Sequence, residues 1–451
     1  EGMRSFISDY GAEQFIETGN TIKSVIEAEN ILLSKGATKF GLGDHFTNLG
    51  EQINSSLGMI LLEVTERCNL RCSYCIYNPQ VESTRNHGQK DMDLKVAYQA
   101  IDYLKKSSSK KKEVAITFYG GEPLLRFPFI KSCVEYARKT VTDKSVKFSV
   151  TTNGVLMTQE IAQFFASNEF SVLVSLDGPE EIHDRYRKDA NGKGSFKNTI
   201  DALKNLIDAF GDKSKSKIGI SMVYAPPHNE RSIQSAIKIF DQYPWLPKEM
   251  RLNITYPHPG SMSMESLSKT DFEEVETLFE WSKNQFLDNY DHKKNLHPVS
   301  RNIIEKEMAQ FIQRPTYQKP IDEYYLNGCC VPGVRKVYVT VDGSILLCEK
   351  TYYDTPRLGN IFSGIDIDAV EKVLIDDYGK NSLTLCSKCW AIRLCNQCYI
   401  YSFQSGKFNS AKKQYYCHIT RFSKEKVLTA YCDCMEKNVN SLDYLRTYEL
   451  S

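Results

Sequence analysis

The 451-residue chain has no apolar run of about 18 residues, so nothing in it reads as a membrane span, and the mixed polar stretch Glu1 to Tyr10 is no secretory signal. A surplus of one charge is also missing. Lys plus Arg number 57 against 56 Asp plus Glu, a net charge of +1, which leaves no bulk field for gripping nucleic acid or an acidic membrane face. Proline and glycine are sparse, at 15 and 25 residues, and with 41% hydrophobic and 25% charged residues the composition excludes general disorder. Two or three domains with a substantial core are expected, in the cytoplasm. The chain opens on Glu1 rather than an initiator methionine, which reads as an N-terminus that has lost a native piece or gained a remnant. What the chain does have is 14 cysteines. They serve either as disulfides in an oxidising compartment or as thiolates for metal, and spacing decides between these.

From Met59 to about Tyr256, short β-branched runs alternate with amphipathic helical ones. Strands are expected at Ile60 to Thr65, Val114 to Tyr119, Lys147 to Thr152, Ser171 to Ser175, Ile218 to Val223 and Arg251 to Thr255. Helices are expected at Asp93 to Leu104, Phe129 to Arg138, Gln159 to Ala166 and Phe196 to Phe210. Repeated βα units build parallel sheets, and six strands suit a partial, TIM-like (βα)6 barrel in an α/β fold. Beyond it, helices are expected at Lys269 to Phe286 and Asn302 to Gln313, after which regular structure thins and cysteines thicken. The expected order is an N-terminal appendage at 1–56, the barrel at 57–260, a helical linker at 261–325, a cysteine-rich domain at 326–435 and a tail at 436–451. The appendage is expected to hold a helix near Ile22 to Leu33 and a loop at Gly36 to Gly43.

Directly after the first strand comes Cys68-Asn-Leu-Arg-Cys72-Ser-Tyr-Cys75. Three thiolates without a nearby fourth ligand suit an iron-sulfur cube that keeps one iron for an outside ligand, whereas a structural zinc site wants four. The bland alternative is a reduced or partly zinc-filled loop. Three more strand ends carry polar, Gly-containing turns: Gly120-Gly121-Glu122-Pro123, Thr151-Thr152-Asn153-Gly154 and Ser175-Leu176-Asp177-Gly178-Pro179. Singly these are ordinary turn signals, but together they mark the C-terminal rim where barrel folds keep their chemistry.

The CxxxCxYC, the GGEP and the βα pattern resemble the radical S-adenosylmethionine (radical SAM) superfamily over roughly residues 58–260. The resemblance implies a [4Fe-4S] cluster on Cys68, Cys72 and Cys75 whose open iron takes S-adenosylmethionine. Gly120, Gly121 and Glu122 would bind the methionyl amino group, and Tyr74 would lie near adenine. The stretch Ser175 to Arg187 is similar to that of anaerobic sulfatase-maturating enzymes, which implies Ser175 at the ribose and Arg187 at the carboxylate, with Asn153 a further cofactor-side candidate. Family chemistry yields methionine and a 5′-deoxyadenosyl radical that removes a hydrogen atom from substrate.

The C-terminal third holds Cys330, twelve residues, Gly343, four residues, Cys348; then Cys386-x2-Cys389-x5-Cys395-x2-Cys398; then Cys417. Repeated CxxC is a zinc signature, so paired zinc knuckles are the plain alternative. The pattern also resembles the SPASM extension of radical SAM peptide-modifying enzymes, with x2 where x3 is usual before Cys398. That resemblance implies two auxiliary [4Fe-4S] clusters, the outer on Cys386, Cys389, Cys395 and Cys417 and the inner on Cys330, Cys348 and Cys398, three clusters in all. Sulfatase maturases have another inner-cluster cysteine where Tyr324 stands here. Either Cys329 fills in or one iron stays open, and the divergence of adjacent side chains favours the open iron, a place for a substrate thiolate. Glu349 stands where those enzymes have a catalytic Asp, and a raised pKa beside an anionic cluster would suit it as a base.

The expected function is therefore a maturase of a ribosomally synthesised, Cys-containing precursor peptide, forming thioether links, served by an electron donor such as flavodoxin or ferredoxin. Formation of formylglycine from Cys or Ser is the main alternative, and carbon-carbon crosslinking a third. A zinc-ribbon scaffold or peptide-binding chaperone is the non-enzymatic one. Peptide maturases often capture a leader by β-addition on a winged-helix element, for which the first 55 residues are short. Cys133 is expected to be a buried structural thiol, while Cys432 and Cys434 have no assigned role.

Overall fold

The computed structural model describes residues 12–28, 39–41, 47–77, 87–225, 238–257, 270–289, 297–314, 323–325, 330–351, 355–404, 406–437, 440 and 442–448. In chain order the first elements are α1 (Ala12–Ala28), β1 (Lys39–Gly41) and α2 (Leu49–Ser55). The βα series follows with β2 (Met59–Thr65), α3 (Leu94–Ser107), β3 (Glu113–Gly120), α4 (Phe127–Thr140), β4 (Ser145–Thr152), α5 (Gln159–Ser167) and β5 (Ser171–Ser175). Next come α6 (Glu180–Tyr186), α7 (Phe196–Phe210), β6 (Ile218–Val223), β7 (Arg251–Thr255), α8 (Thr270–Asn289), α9 (Lys306–Ile312) and β8 (Glu323–Tyr325). The cysteine-rich part adds β9 (Val337–Val339), β10 (Ser344–Leu346), β11 (Gly359–Asn360), β12 (Gly364–Ile365) and α10 (Ser410–Lys437).

Strands β2 to β7 lie side by side in sequence order, each parallel to the next, as the βα pattern predicts. Alternation sorts their side chains. Ile60, Leu62, Val64, Ile116, Phe118, Val150, Val174 and Ile220 join the large core with Ala97, Ile101 and Leu104 of α3 and Leu203 and Leu206 of α7. On β4 to β7 the opposite face is polar and half-exposed, carrying Ser149 and Thr151 of β4, Ser175 of β5, Ser221 of β6 and Asn253 and Thr255 of β7, while beside it Leu61, Tyr338 and Leu346 form a small buried apolar cluster with Met59 and Tyr119. Helix starts are locally encoded: Asp93 accepts from Lys95 N at α3, and Thr158 accepts from Ile161 N at α5.

The sheet does not stop at β2. β9 pairs in parallel with it, Leu61 opposite Tyr338, and β10, β11 and β12 continue antiparallel, so ten strands form one sheet. The barrel strands and those of the cysteine-rich part thus share one sheet. Glu63 locks the junction: its Oε1 accepts from the hydroxyls of Tyr77 and Tyr338, both at 2.9 Å, and its Oε2 from Val341 N at 3.1 Å. The expected loop at Gly36 to Gly43 includes β1, which pairs in parallel with β8. The helix expected near Ile22 to Leu33 starts earlier, as α1, and residues 29–33 lie outside the described residues. The 28-residue α10 crosses a region expected to be irregular.

Candidate active site and cysteine sets

The Cys68 to Cys75 loop is clamped on two sides. On one, Gly121 N donates to Thr65 O at 2.8 Å and Glu122 N to Arg67 O at 2.9 Å; on the other, Arg71 N donates to Lys188 O at 2.6 Å and Ser73 N to Tyr186 O at 3.2 Å. The paired glycines serve this clamp. A Cβ on Gly121 would stand 2.1 Å from Arg67 O, and one on Gly120, at φ +126°, 2.5 Å from Thr65 O. The close approach expected for a ligand is therefore first an approach of the chain to itself.

Glu122 is buried, and its carboxylate is already committed. It accepts from Leu124 N at 3.0 Å, Thr152 Oγ1 at 2.6 Å and Asn153 N at 2.8 Å, tying the ends of β3 and β4 together. Burial outweighs these bonds and raises its pKa. Asn153 reaches the cysteine loop, donating Nδ2 to Asn69 Oδ1 at 2.7 Å and lying 3.8 Å from Cys68 Sγ. Burial pushes the Cys68 and Cys72 thiols up to about 12, Cys75 adds to both shifts, and Cys68 adds to that of Cys72. They are protonated until a cationic centre takes the charge.

Asp177, passed over in the sequence as part of a turn, proves to be the organising residue. Its carboxylate accepts from the Tyr74 hydroxyl, Arg187 Nε at 2.9 Å, Arg187 Nη2 at 3.3 Å and Val223 N at 2.9 Å. Arg187 Nη1 points on to Cys72 Sγ, 4.0 Å away, and the guanidinium lies 5.4 Å from the centre of the Tyr74 ring. Burial works against the Arg187 charge, but Asp177 outweighs it and holds the guanidinium pKa well above its ordinary value. Behind this pair, His183 Nδ1 accepts from Asp177 N at 3.3 Å, its Nε2 meets Ser195 Oγ at 3.0 Å, and Ser195 Oγ donates to Arg187 O at 2.8 Å. Ser175 stands half-exposed at the end of β5 on the concave face.

At the other end of β2 lies the second group. Cys348 is buried and Cys398 half-buried; together with Glu349 they surround Tyr401, whose phenol burial and their negative charges push up to about 12. Cys330 is half-buried, Cys329 lies outside the described residues, and of Tyr324 only the backbone strand is described. The raised pKa expected for Glu349 is corrected: burial raises it, but Lys336, with Nζ at 2.7 and 3.0 Å from the two oxygens, reverses the shift and lowers it. By register, Cys348 falls level with the start of β2, about 20 Å along the strands from the Cys68 end.

The third group is a cavity of about 230 Å3 lined by Cys386, Cys389, Cys395, Cys417, Gln397 and Lys413, among others. Four sulfurs around such a space fit a four-cysteine cluster in size and donor chemistry. Among the described residues, no three His, Cys, Asp or Glu side chains are grouped closely enough to hold a single metal ion. Cys133 is buried in the core on α4, as expected. Cys434 is buried in a second apolar cluster with Phe286 and Ile304, while Cys432 is exposed, so this close pair does not converge. Among the described residues no helix is long and apolar enough to cross a membrane.

Comparison with known proteins fits this geometry. Residues 62–239 match the radical SAM superfamily. The chain is 38% identical over 147 residues to an uncharacterized protein of Methanocaldococcus jannaschii, covering 33% of this chain and 46% of that one, so it spans about half of that relative. It is 26% identical over 412 residues to the cysteine-type anaerobic sulfatase-maturating enzyme of Clostridium novyi, covering 86% of this chain and 97% of that enzyme. The fold is similar to that of native anSMEcpe with bound AdoMet, with a TM-score of 0.61, 23% identity, and 86% of this chain and 100% of that one covered.

Proposed function

The chain is a radical SAM enzyme, and from that premise we propose that it oxidises a side chain of a ribosomally synthesised precursor peptide by two electrons, joining a Cys sulfur to a carbon of another residue. The observation that supports the reading is the half-exposed polar face of β4 to β7, beside β2 with the Cys68 loop at one end and the Cys348 group at the other. The ~20 Å between these ends accommodates a nucleoside-sized cofactor followed by an amino-acid side chain.

When bound, S-adenosylmethionine and a cluster on Cys68, Cys72 and Cys75 supply hydrogen-atom abstraction. This chain's residues supply the positioning. Asn153, Ser175 and the backbone of Gly120 to Glu122 would orient the cofactor. Arg187, with Nε and Nη2 held by Asp177, presents Nη1 to a carboxylate beside Cys72, and Tyr74 closes the site against water. Glu349, whose carboxylate accepts from Lys336, would take the thiol proton on an oxygen. Cys330, Cys348 and Cys398, and Cys386, Cys389, Cys395 and Cys417, would hold two auxiliary clusters, which would supply an acceptor for the electron left over after the sulfur-carbon bond forms. A flavodoxin or ferredoxin supplies the starting electron.

The similarity to sulfatase maturases over nearly their full length favours a second reading, in which Cys or Ser becomes formylglycine. Mass spectrometry of a Cys-containing peptide, treated with reduced enzyme and S-adenosylmethionine, separates them. Thioether formation removes a pair of hydrogens and keeps the sulfur, whereas formylglycine formation from Cys expels it. Three clusters predict ~12 iron atoms per chain after anaerobic reconstitution. One or two zinc ions with no iron would overturn both readings.

A further inference from the structure

Lys413, on α10, is 1% exposed, yet its ammonium has no carboxylate partner among the described residues. Its contacts are the Tyr378 hydroxyl at 3.2 Å and the face of the same ring, 4.5 Å from the centroid. A buried cation without a counter-charge is strongly unfavourable, so the fold should either neutralise it or supply an anion. Lys413 lines the four-cysteine cavity together with Cys386, Cys389, Cys395 and Cys417. The surrounding chain supplies no competing anion: between Asp377 and Glu425 there are eight Lys or Arg and no Asp or Glu. A second polar group in the cavity is also unfinished. Gln397 Nε2 is buried without a hydrogen-bond partner among the described residues, while Oε1 accepts from Cys417 Sγ at 3.2 Å. The same amide turned over presents N–H to the Cys417 sulfur.

We propose that Lys413 is the internal counter-ion of the outer auxiliary cluster, with the Gln397 amide as a hydrogen-bond donor to its Cys417 sulfur, and that this pair makes the cavity specific for a net-anionic, thiolate-ligated group. The inference rests on the reading that these four cysteines hold a cluster. Lys413 is a positioning residue in this scheme, since it acts on the cluster's charge and not on substrate. A buried cation favours the more negative, reduced state of the cluster, so it raises the reduction potential and suits the site to accepting an electron.

The test compares wild type with Lys413→Met and Lys413→Arg, prepared anaerobically in cluster-free and reconstituted forms. Opposite signs are expected in the two states. K413M raises the urea midpoint of the cluster-free protein, because it removes an uncompensated buried charge. In the reconstituted protein it speeds chelator-driven iron loss on the order of tenfold and moves the potential of one auxiliary signal, followed by EPR-monitored titration, to more negative values. K413R restores retention and potential toward wild type. The proposal is overturned if K413M destabilises both forms alike, or leaves iron retention and potential unchanged. If wild type itself takes up zinc and no sulfide at these cysteines, the underlying reading fails instead, and metal and sulfide analysis of wild type distinguishes that outcome.

Discussion

Replacing Asp177 with Asn should cost the cluster-free protein about 3–5 kcal/mol, the range for stripping one partner from a buried ion pair. The estimate follows from the geometry. The Asp177 side chain is 1% exposed and that of Arg187 9%, so solvent cannot re-solvate the guanidinium left behind. Asn keeps the shape and can still accept from Val223 N, but it cannot satisfy Arg187 Nε and Nη2 and the Tyr74 hydroxyl with an anion. Arg187→Met should cost a similar amount by leaving the Asp177 carboxylate buried. The double variant should cost less than the sum by at least about 2 kcal/mol, since its second change removes the charge that the first one orphaned. Anaerobic urea unfolding, followed by fluorescence of the three tryptophans, measures all four proteins. Additive losses, or a D177N loss below about 1 kcal/mol, would refute the idea that this pair organises the rim.

Two further outcomes follow from the same site. Burial first, and Arg187 second, lower the His183 pKa from 6.5 to about 4, so between those values the unfolded chain binds the extra proton and the native chain does not. Stability due to this group is complete above pH 6.5 and falls by about 1.4 kcal/mol per unit as pH drops toward 4; His183→Gln should flatten that part of the urea-midpoint profile, and an unchanged slope would contradict the assignment. Gly121→Ala forces a Cβ to within 2.1 Å of Arg67 O, a backbone atom that cannot swing aside. It should displace the Cys68 loop and remove about four iron atoms per chain after reconstitution while leaving the auxiliary complement in place, whereas full iron content would show that the clamp is dispensable.

The barrel strands were readable in two ways: β4 and β5 alternate in burial, while β2 is buried along nearly its whole length and shows as a continuous apolar run. In β4, Phe148 and Val150 enter the core while Ser149 and Thr151 face the concavity. The rim was readable because turn residues recur after each strand. Three things were hidden, each for a physical reason. β9 is only Val337–Val339, too short to announce a strand, and its place beside β2 depends on Glu63, far away in sequence. The first half of α10 lines the cysteine cavity with Lys413, Cys417, Thr420 and Arg421, a helical i, i+4, i+7, i+8 face that is polar, so no apolar stripe marks it. Asp177 sat in a Leu-Asp-Gly-Pro turn, where Asp is commonplace; only the return of Arg187 after α6 shows that its carboxylate is an internal anion. Glu349 was misjudged because its partner Lys336 lies on the strand approaching from the other side of the hairpin.

The junction between β2 and β9 bears on how the proposed oxidation would be organised. The Cys68 loop leaves the C-terminal end of β2, and Cys348 leaves the hairpin whose first strand pairs with that same β2. The separation between the groups is therefore set by the hydrogen-bond register of one strand pair, not by packing of two mobile domains. A slip of one residue would move Cys348 by about 3.3 Å and turn Tyr338 to the opposite face. Glu63 forbids that slip, because its two oxygens hold Tyr77, Tyr338 and Val341 N at once, and Tyr77 follows directly on the cysteine loop. One buried carboxylate thereby ties the loop that would start the oxidation to the strand leading to the cysteines that would end it. Rigidity between the ends is what an enzyme needs if it must keep a reactive intermediate at a fixed distance from its electron sink.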